Sequence, residues 1–140
     1  MMFEEYPKIR EELPEAYKLI YVNQYKENRE GESTASGMAQ KMEAWLHKKI
    51  ALDVKSDFEK KTLEIGAGTL NQLDYEKTKH YDIIEPFGEL FNDSPKLLRI
   101  NKVYNDINEI ELKQAYDRIC SIATFEHITN LPEVVARTCM

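Results

Sequence analysis

From residue 58 onward, short apolar runs alternate with turn-forming stretches, and this alternation limits the folds that the chain can adopt. Four runs are predicted to be strands: KTLEIGAG (61–68), YDIIEP (81–86), NKVYNDI (101–107) and DRICSIATF (117–125). Between them lie two short helix-capable segments, PFGELFND (86–93) and INEIELKQA (107–115). Strands that alternate with helical segments form βαβ units, whose strands are parallel. The pattern therefore predicts an α/β fold with a mostly parallel sheet.

The first 57 residues show helical periodicity instead. Apolar residues recur at helical spacing in two stretches, Tyr17, Ile20, Tyr21 and Tyr25 in one and Met42, Trp45, Leu46 and Ile50 in the other. A polar break, NREGESTASG (28–37), separates the two stripes. Such stripes are typical of amphipathic helices that pack on a core. We predict a helical domain over 1–57 and a sheet domain over 58–140, with His47 and His80 in surface-like polar contexts.

Composition excludes several classes of function. The 140-residue chain carries a formal net charge of −6, which disfavours binding to nucleic acid or to an anionic membrane. No apolar run approaches the roughly 20 residues that span a bilayer, and the acidic N-terminus lacks the apolar segment of a secretory signal. The two cysteines form no CxxC pair, so neither a disulfide framework nor a metal site is predicted. Together these features predict a cytoplasmic protein.

Residues suited to ligand binding stand at the end of each predicted strand, where ligands bind in open parallel sheets. Gly66 and Gly68 follow the first strand and allow the backbone to pass close to a ligand, with Glu64 two residues before them. Glu85 ends the second strand, 19 residues after Gly66 (85 − 66), which suits a carboxylate that accepts both ribose hydroxyls. Asp106 follows the third strand, and Glu126 and His127 follow the fourth.

Each of these signals has a purely structural alternative. Glu85 could be an acid at a helix N-terminus before Pro86, and Asp106 could be a helix N-cap. His127 could pack or hydrogen-bond locally at a helix start. What favours a functional interpretation is that four such strand ends follow one another in order along the chain.

That order resembles the class I S-adenosylmethionine-dependent methyltransferases. The resemblance covers about residues 58–138 and rests on the motifs LEIGAG, IIEP, YNDI and DRICSIATFEHI. The resemblance implies a partial Rossmann-like sheet under an N-terminal helical cap, with S-adenosyl-L-methionine as the cofactor. It implies that Glu64, Gly66, Ala67 and Gly68 form the cofactor turn and that Glu85 binds the ribose. It further places Asp106 at the adenine amino group, Pro86 and Ile107 against the adenine faces, and Ser121 and Ile122 beside the methionine moiety.

The chain departs from the family in two respects. Leu70 stands where a further glycine is often found, and the stretch 69–80 is too short for a long helix, so we expect a tight turn and a helix of one or two turns. The family's sheet has seven strands, whereas LPEVVARTCM (131–140) begins a helix, with Pro132 in its first turn, that no strand follows. This end suggests a fragment, or a chain completed by a partner.

The function that the resemblance implies is methyl transfer to a small-molecule O, N or C nucleophile, with His127 as the general base if one is needed. One alternative is a non-catalytic cofactor-binding module, truncated or completing its sheet in a homo-oligomer. The other is an NAD-dependent oxidoreductase, whose Gly-x-Gly-x-x-Gly fingerprint would need glycine at Asn71.

Overall fold

The computed structural model describes residues 19, 22–23, 36–52, 58–111, 116–125, 128 and 130–139. These ranges contain the helices and strands α1 (Ser36–Ala51), β1 (Lys61–Ile65), β2 (His80–Ile84), β3 (Lys102–Tyr104), β4 (Arg118–Ser121) and α2 (Leu131–Thr138), and residues 19, 22 and 23 are also helical. All four predicted strands are present. Each is shorter than its predicted run, because the last residues of the run belong to the turn or loop that follows the strand.

The four strands form one parallel sheet in the order β3-β2-β1-β4. The chain runs outward from β1 through β2 to β3 and then returns to the other side of β1. This order confirms the predicted α/β fold with a partial Rossmann-like sheet. It also places the reversal of strand order between β1 and β4, and ligands bind at such a reversal in open parallel sheets.

Two hydrophobic cores cover the two faces of the sheet. The first core contains Val22, Ala67, Leu70, Leu73, Tyr81, Ile83, Leu90 and Phe91. The second core contains Leu63, Ile65, Ile84, Tyr104, Ile107, Ile110 and Val134. Because successive residues of a strand point to opposite faces, β2 contributes to both cores, whereas β1 contributes Leu63 and Ile65 to the second core. Four of the five residues of each strand are buried. The buried face of β1 on the side of the first core carries the polar residues Thr62 and Glu64.

In the described residues, the connections between strands are short 3₁₀ segments. They span Asn71–Asp74, Gly88–Leu90, Pro95–Arg99 and Ile107–Glu109. The first confirms the short helix expected after Leu70, and the second lies where a helical segment was predicted over 86–93. The fourth lies at the start of the segment predicted over 107–115, of which residues 112–115 are outside the described residues. Tertiary hydrogen bonds stabilise these pieces, because segments this short cannot stabilise themselves. Arg99, for example, donates to the carbonyl oxygens of Leu73 and Glu76.

α1 confirms the second predicted N-terminal helix but not the face that it buries. Its sequence is rich in Ala, Met, Gln, Lys and Leu, which are strong helix formers, and Lys48 and Lys49 lie in the last turn, where positive charge is favourable. The predicted core stripe is wrong, because Trp45 is 57% exposed and Met42 and Leu46 are exposed as well. His47, predicted at the surface, is instead only 5% exposed.

α2 confirms the helix predicted from Pro132 onward. It begins at Leu131 with proline in its first turn and packs Val134 into the second core. The tyrosine stripe predicted between Tyr17 and Tyr25 lies outside the described residues. Within the described part of the chain, none of the helices combines the length and apolar character needed to cross a membrane.

Candidate functional site

The turn after β1 requires a left-handed backbone at three positions. Gly66 has φ 74°, Gly68 has φ 52° and Leu70 has φ 62°. Gly66 also has a steric requirement, because a Cβ at this position would collide with the side chain of Thr124. Its amide donates to the Ile84 carbonyl at 2.8 Å, which extends the pairing of β1 with β2 to the rim. The two glycines are therefore needed by the turn itself.

Glu85 is tied to this turn directly. Its Oε2 accepts a hydrogen bond from the Gly68 amide at 2.8 Å, and its Oε1 accepts one from the Phe87 amide at 3.0 Å. The side chain is 6% exposed. A carboxylate oxygen has two lone pairs, so this kind of group can accept hydroxyl donors as well as backbone donors. The structure thus brings together the predicted glycine turn and the predicted ribose acid.

Leu70, which stands where a further glycine is often found, adopts the conformation that glycine would favour. It has ψ 33° with φ 62° and lies just before the segment Asn71–Asp74. Its side chain is fully buried in the first core, and its amide donates to the Ala67 carbonyl at 2.9 Å. A non-glycine residue in this region costs of order 1–3 kcal/mol. Burial of the leucine side chain offsets that cost.

The loop after β4 faces the glycine turn across the reversal of strand order. The Ser121 hydroxyl donates to the Ile65 carbonyl at 3.0 Å, and the Thr124 hydroxyl lies 3.4 Å from the Gly66 carbonyl oxygen, to which it donates. Ala123, between them, also has positive φ, 51°. Ile122 is partly exposed. Of the predicted methionine-side residues, Ser121 therefore lies against the end of β1, and Ile122 follows it in the loop.

The loop after β3 lies beside the loop that carries Glu85, since the Glu85 amide donates to the Tyr104 carbonyl at 2.9 Å. Asp106 is exposed and caps the segment Ile107–Glu109 by accepting from the Asn108 amide at 2.8 Å. Asp106 is therefore a helix N-cap, the structural alternative considered from the sequence, and it uses one of its two carboxylate oxygens for this. Pro86 is exposed, whereas the Ile107 side chain is buried in the second core. Of this predicted pair, Pro86 is therefore the one whose side chain is open to a ligand.

Glu64 does not lie in the turn but on β1 beneath it. It is 2% exposed, and its Oε2 accepts a hydrogen bond from the Tyr81 hydroxyl at 2.8 Å. Burial, opposed by the Tyr81 hydrogen bond, raises the pKa of Glu64 to about 8. The carboxyl is therefore mostly protonated at neutral pH, so Glu64 adds little negative charge beside the turn.

A buried polar chain that the sequence did not predict joins α1 to the edge strand β4. His47 Nδ1 lies 2.7 Å from Gln72 Oε1, and Gln72 Nε2 donates to the His47 carbonyl and to Glu76. Glu76 in turn pairs with Arg118 through both of its carboxylate oxygens. The His47 ring also stacks on Tyr75 with 5.5 Å between ring centroids. The available signal was QLDYE (72–76), a polar stretch in which Gln72 and Glu76 share one helical face.

The half-buried thiol of Cys120 and the buried hydroxyl of Tyr81 extend this polar region along the same face of the sheet. Arg118 Nη2 lies 3.8 Å from the Cys120 sulfur, and the Tyr81 hydroxyl lies 4.0 Å from it. Burial and the neighbouring Glu64 raise the pKa of Cys120 to about 12. A thiol with so high a pKa is a poor nucleophile at neutral pH, which agrees with a packing role for Cys120.

The predicted base His127, together with Glu126, lies outside the described residues. Within the ranges that the structure describes, no group of three or more His, Cys, Asp or Glu side chains could hold a metal ion. His80 is exposed and faces Glu59 at 3.3 Å at the start of β2, the opposite end of the strand from the rim loops.

The rim offers hydrogen-bond acceptors and a tight backbone turn, but it lacks a feature that phosphate binding uses. Phosphates bind where a glycine turn leads into the N-terminus of an α-helix, whose amides and dipole face the anion. Here the turn leads into a 3₁₀ segment of four residues, Asn71–Asp74. A ligand with hydroxyl and amino donors fits this rim better than a pyrophosphate does. The chain has no match among protein-family models, curated proteins or solved structures.

Proposed function

We propose that this chain binds S-adenosyl-L-methionine and belongs to an enzyme that transfers its methyl group to a small-molecule nucleophile. The observation that carries the proposal is the pairing of the glycine turn with Glu85. The Gly68 amide and the Glu85 carboxylate are joined at 2.8 Å beside the reversal of strand order. A carboxylate held at this place suits a ribose whose two hydroxyls donate hydrogen bonds.

The short segment after the turn favours this cofactor over a dinucleotide. A dinucleotide carries a pyrophosphate that needs the N-terminus of an α-helix, and the segment Asn71–Asp74 is only four residues of 3₁₀ helix. S-adenosyl-L-methionine has no phosphate and carries a positive sulfonium. Glu85 and Asp106 would hold its adenosine, and the loop at Ser121 and Ile122 would contact its methionine part.

When bound, the cofactor supplies an electrophilic methyl group on sulfur. The transfer is an in-line displacement, so the tasks left to the chain are alignment of the two reactants and exclusion of water. The turn and the loop after β4 meet at Gly66 and Thr124 and would fix one side of the cofactor. α1, joined to the first-core face through His47 and Gln72, would belong to the cap. We retain His127 as the proposed base for nucleophiles that need deprotonation.

The charge of −6 supports a small-molecule substrate rather than nucleic acid or membrane, and a cytoplasmic location is proposed with it. The test is calorimetric titration of the 140-residue chain with S-adenosyl-L-methionine, S-adenosylhomocysteine and NAD. We expect the first two to bind and NAD not to bind. Binding of NAD alone would make the chain a dinucleotide-binding protein, and a folded chain that binds none of the three would also contradict the proposal.

Substitution of Glu85 gives a sharper test of the same site. Glu85→Ala removes the acceptor for the ribose hydroxyls, so we expect affinity for S-adenosylhomocysteine to fall by about 1–3 kcal/mol. Because Glu85 also holds the Gly68 amide, the circular dichroism spectrum and urea midpoint of the variant should be measured beside its affinity. Unchanged affinity in the folded variant would remove Glu85 from the site.

A further inference from the structure

Arg137, near the end of α2, holds the backbone of the loop that follows β3. Its Nε donates to the Ile107 carbonyl at 3.1 Å, and its Nη2 donates to the Ile110 carbonyl at 2.8 Å and lies 3.5 Å from the Asn108 carbonyl. One guanidinium thus contacts three carbonyl oxygens within four residues. Its planar fork of donors suits such an arrangement, whereas a single ammonium does not.

The face of α2 that carries Arg137 also packs against this loop. Val134 precedes Arg137 by three residues, so the two side chains share one face of the helix. Val134 is buried in the second core together with Ile107 and Ile110, the residues whose carbonyls Arg137 contacts. The helix therefore fixes the loop with an apolar contact and a set of hydrogen bonds.

Hydrogen bonds within the loop stiffen it but do not fix its position relative to the sheet. Asp106 Oδ1 accepts from the Asn108 amide at 2.8 Å. Glu109 accepts from the amide and the side chain of Asn105, at 3.1 and 3.2 Å. These bonds join residues of the loop only to one another, so the loop could shift relative to the sheet as one rigid unit without breaking them. Arg137 bonds to the loop from another element and can therefore set where the unit lies.

The second carboxylate oxygen of Asp106 indicates the role of this loop in ligand binding. Asp106 is exposed, and within the described part of the chain its Oδ2 has no hydrogen-bond partner. Asp106 belongs to a loop that lies next to the loop of Glu85, because the Glu85 amide donates a hydrogen bond to the Tyr104 carbonyl at the end of β3. In the proposed cofactor, whose ribose Glu85 would hold, the exocyclic amino group of adenine is the donor that Asp106 would accept.

We propose that Arg137 is a positioning residue for base selectivity, holding the loop so that Asp106 accepts a hydrogen bond from the amino group of adenine. The inference rests on the proposed function, since it concerns the adenine of the proposed cofactor. Arg137 touches neither ligand nor reacting atoms in this role. It acts through the backbone of 107–110.

The test compares S-adenosylhomocysteine with its inosine analogue, in which a 6-oxo group replaces the 6-amino group. The wild-type chain should bind the adenine compound roughly tenfold to a hundredfold more tightly, as expected for a lost hydrogen bond to a charged group. In Arg137→Gln this ratio should fall by roughly a factor of ten, because the carboxylate is no longer held in place. Arg137→Lys should give an intermediate ratio. A role confined to stability would weaken both ligands alike and leave the ratio unchanged.

Arg99→Gln is the matched control, because Arg99 also donates to two backbone carbonyls but in a different loop. It should lower stability and leave the ratio at the wild-type value. A wild-type ratio in either folded Arg137 variant would overturn the positioning role, as would failure of both variants to fold, which would make Arg137 a stabilising residue. If the wild-type chain bound neither compound, the proposed function itself would fail, and the positioning role with it.

Discussion

At the scale of single residues, Leu70 shows how a chain can omit a glycine and keep its turn. The residue adopts φ 62° and ψ 33°, and its side chain has no exposed surface. Two opposing contributions meet at this position, an unfavourable backbone conformation and a favourable burial. Which one is larger can be measured by substitution.

We expect Leu70→Ala to destabilise the protein more than Leu70→Gly does. Both variants lose the buried side chain, at a cost of about 2–5 kcal/mol for removal of a leucine side chain. Alanine retains the unfavourable left-handed backbone, whereas glycine adopts it freely. Urea midpoints measure the order. In a right-handed helix alanine would be the more stable of the two, so that result would contradict the conformation of Leu70.

Glu64 makes the stability of the protein depend on pH. Its pKa is raised to about 8 in the fold from 4.5, so the folded state holds this proton between those pH values while the unfolded state releases it. The contribution of Glu64 to the free energy of unfolding is therefore largest below about pH 4.5 and is lost as the pH rises through 8.

Glu64→Gln should remove that loss. The amide remains neutral and can still accept the hydrogen bond from Tyr81. The variant should gain stability over wild type progressively from pH 5 to pH 8.5, measured by urea unfolding at each pH. Glu111→Gln, which removes the same charge at an exposed position, should show no such trend. A difference between Glu64→Gln and wild type that does not change with pH would contradict a buried, protonated Glu64.

At the scale of elements, α1 is docked by a polar contact and leaves its apolar stripe exposed. His47 and Gln72 form the contact, with the stacked Tyr75 beside it, whereas Met42 and Trp45 are exposed. A helix docked in this way depends strongly on a few hydrogen bonds, because unpaired buried polar groups are costly.

Gln72→Ala should therefore loosen α1 without unfolding the sheet. It leaves His47 and Glu76 without a shared partner, at an expected cost of about 1–3 kcal/mol. Limited trypsin digestion measures the effect, since Lys48 and Lys49 should be cleaved faster when the helix opens. Met42→Ala, on the exposed face, is the control and should be cleaved at the wild-type rate. Equal rates in Gln72→Ala and Met42→Ala would show that the polar contact does not hold the helix.

At the scale of the whole molecule, the pair Glu76–Arg118 joins segments 42 residues apart and anchors β4 from the side of the first core. Both side chains are buried, at 0% and 8% exposure. Burial lowers the pKa of Arg118, but the hydrogen bond and charge of Glu76, together with the neighbouring Cys120 and Tyr81, outweigh that effect and raise the pKa. A buried pair contributes little net stability compared with apolar residues, but removing one partner leaves an uncompensated charge.

Glu76→Gln should thus cost about 3–5 kcal/mol, whereas Glu76→Leu combined with Arg118→Met should recover most of that loss. The exposed pair Lys96–Asp74 provides the comparison, and Asp74→Asn should cost at most about 1 kcal/mol. Urea unfolding of the four chains measures these differences. If Glu76→Gln behaved like Asp74→Asn, the pair would not be buried in solution.

Much of the fold could be predicted because the signals for it are local. The strands β1 and β2 are apolar runs ended by glycine or by Glu85-Pro86, and the start of α2 is marked by Pro132. The exposed stripe of α1 was predicted wrongly for the same reason. Its spacing shows that an apolar face exists but not which neighbour covers it, and the actual contact is made by His47, a residue off that stripe.

By itself, the sequence determined the α/β class, the parallel strands, and the presence of glycines and acids at their carboxyl ends, because each depends on residues close together in the chain. Only the tertiary structure decided that Glu64 is buried and protonated, that Leu70 is left-handed, and that Arg137 holds the loop of Asp106. A charge state depends on the dielectric surroundings, a strained backbone on the packing that offsets it, and a long-range hydrogen bond on where two distant segments meet. None of these is encoded in local spacing.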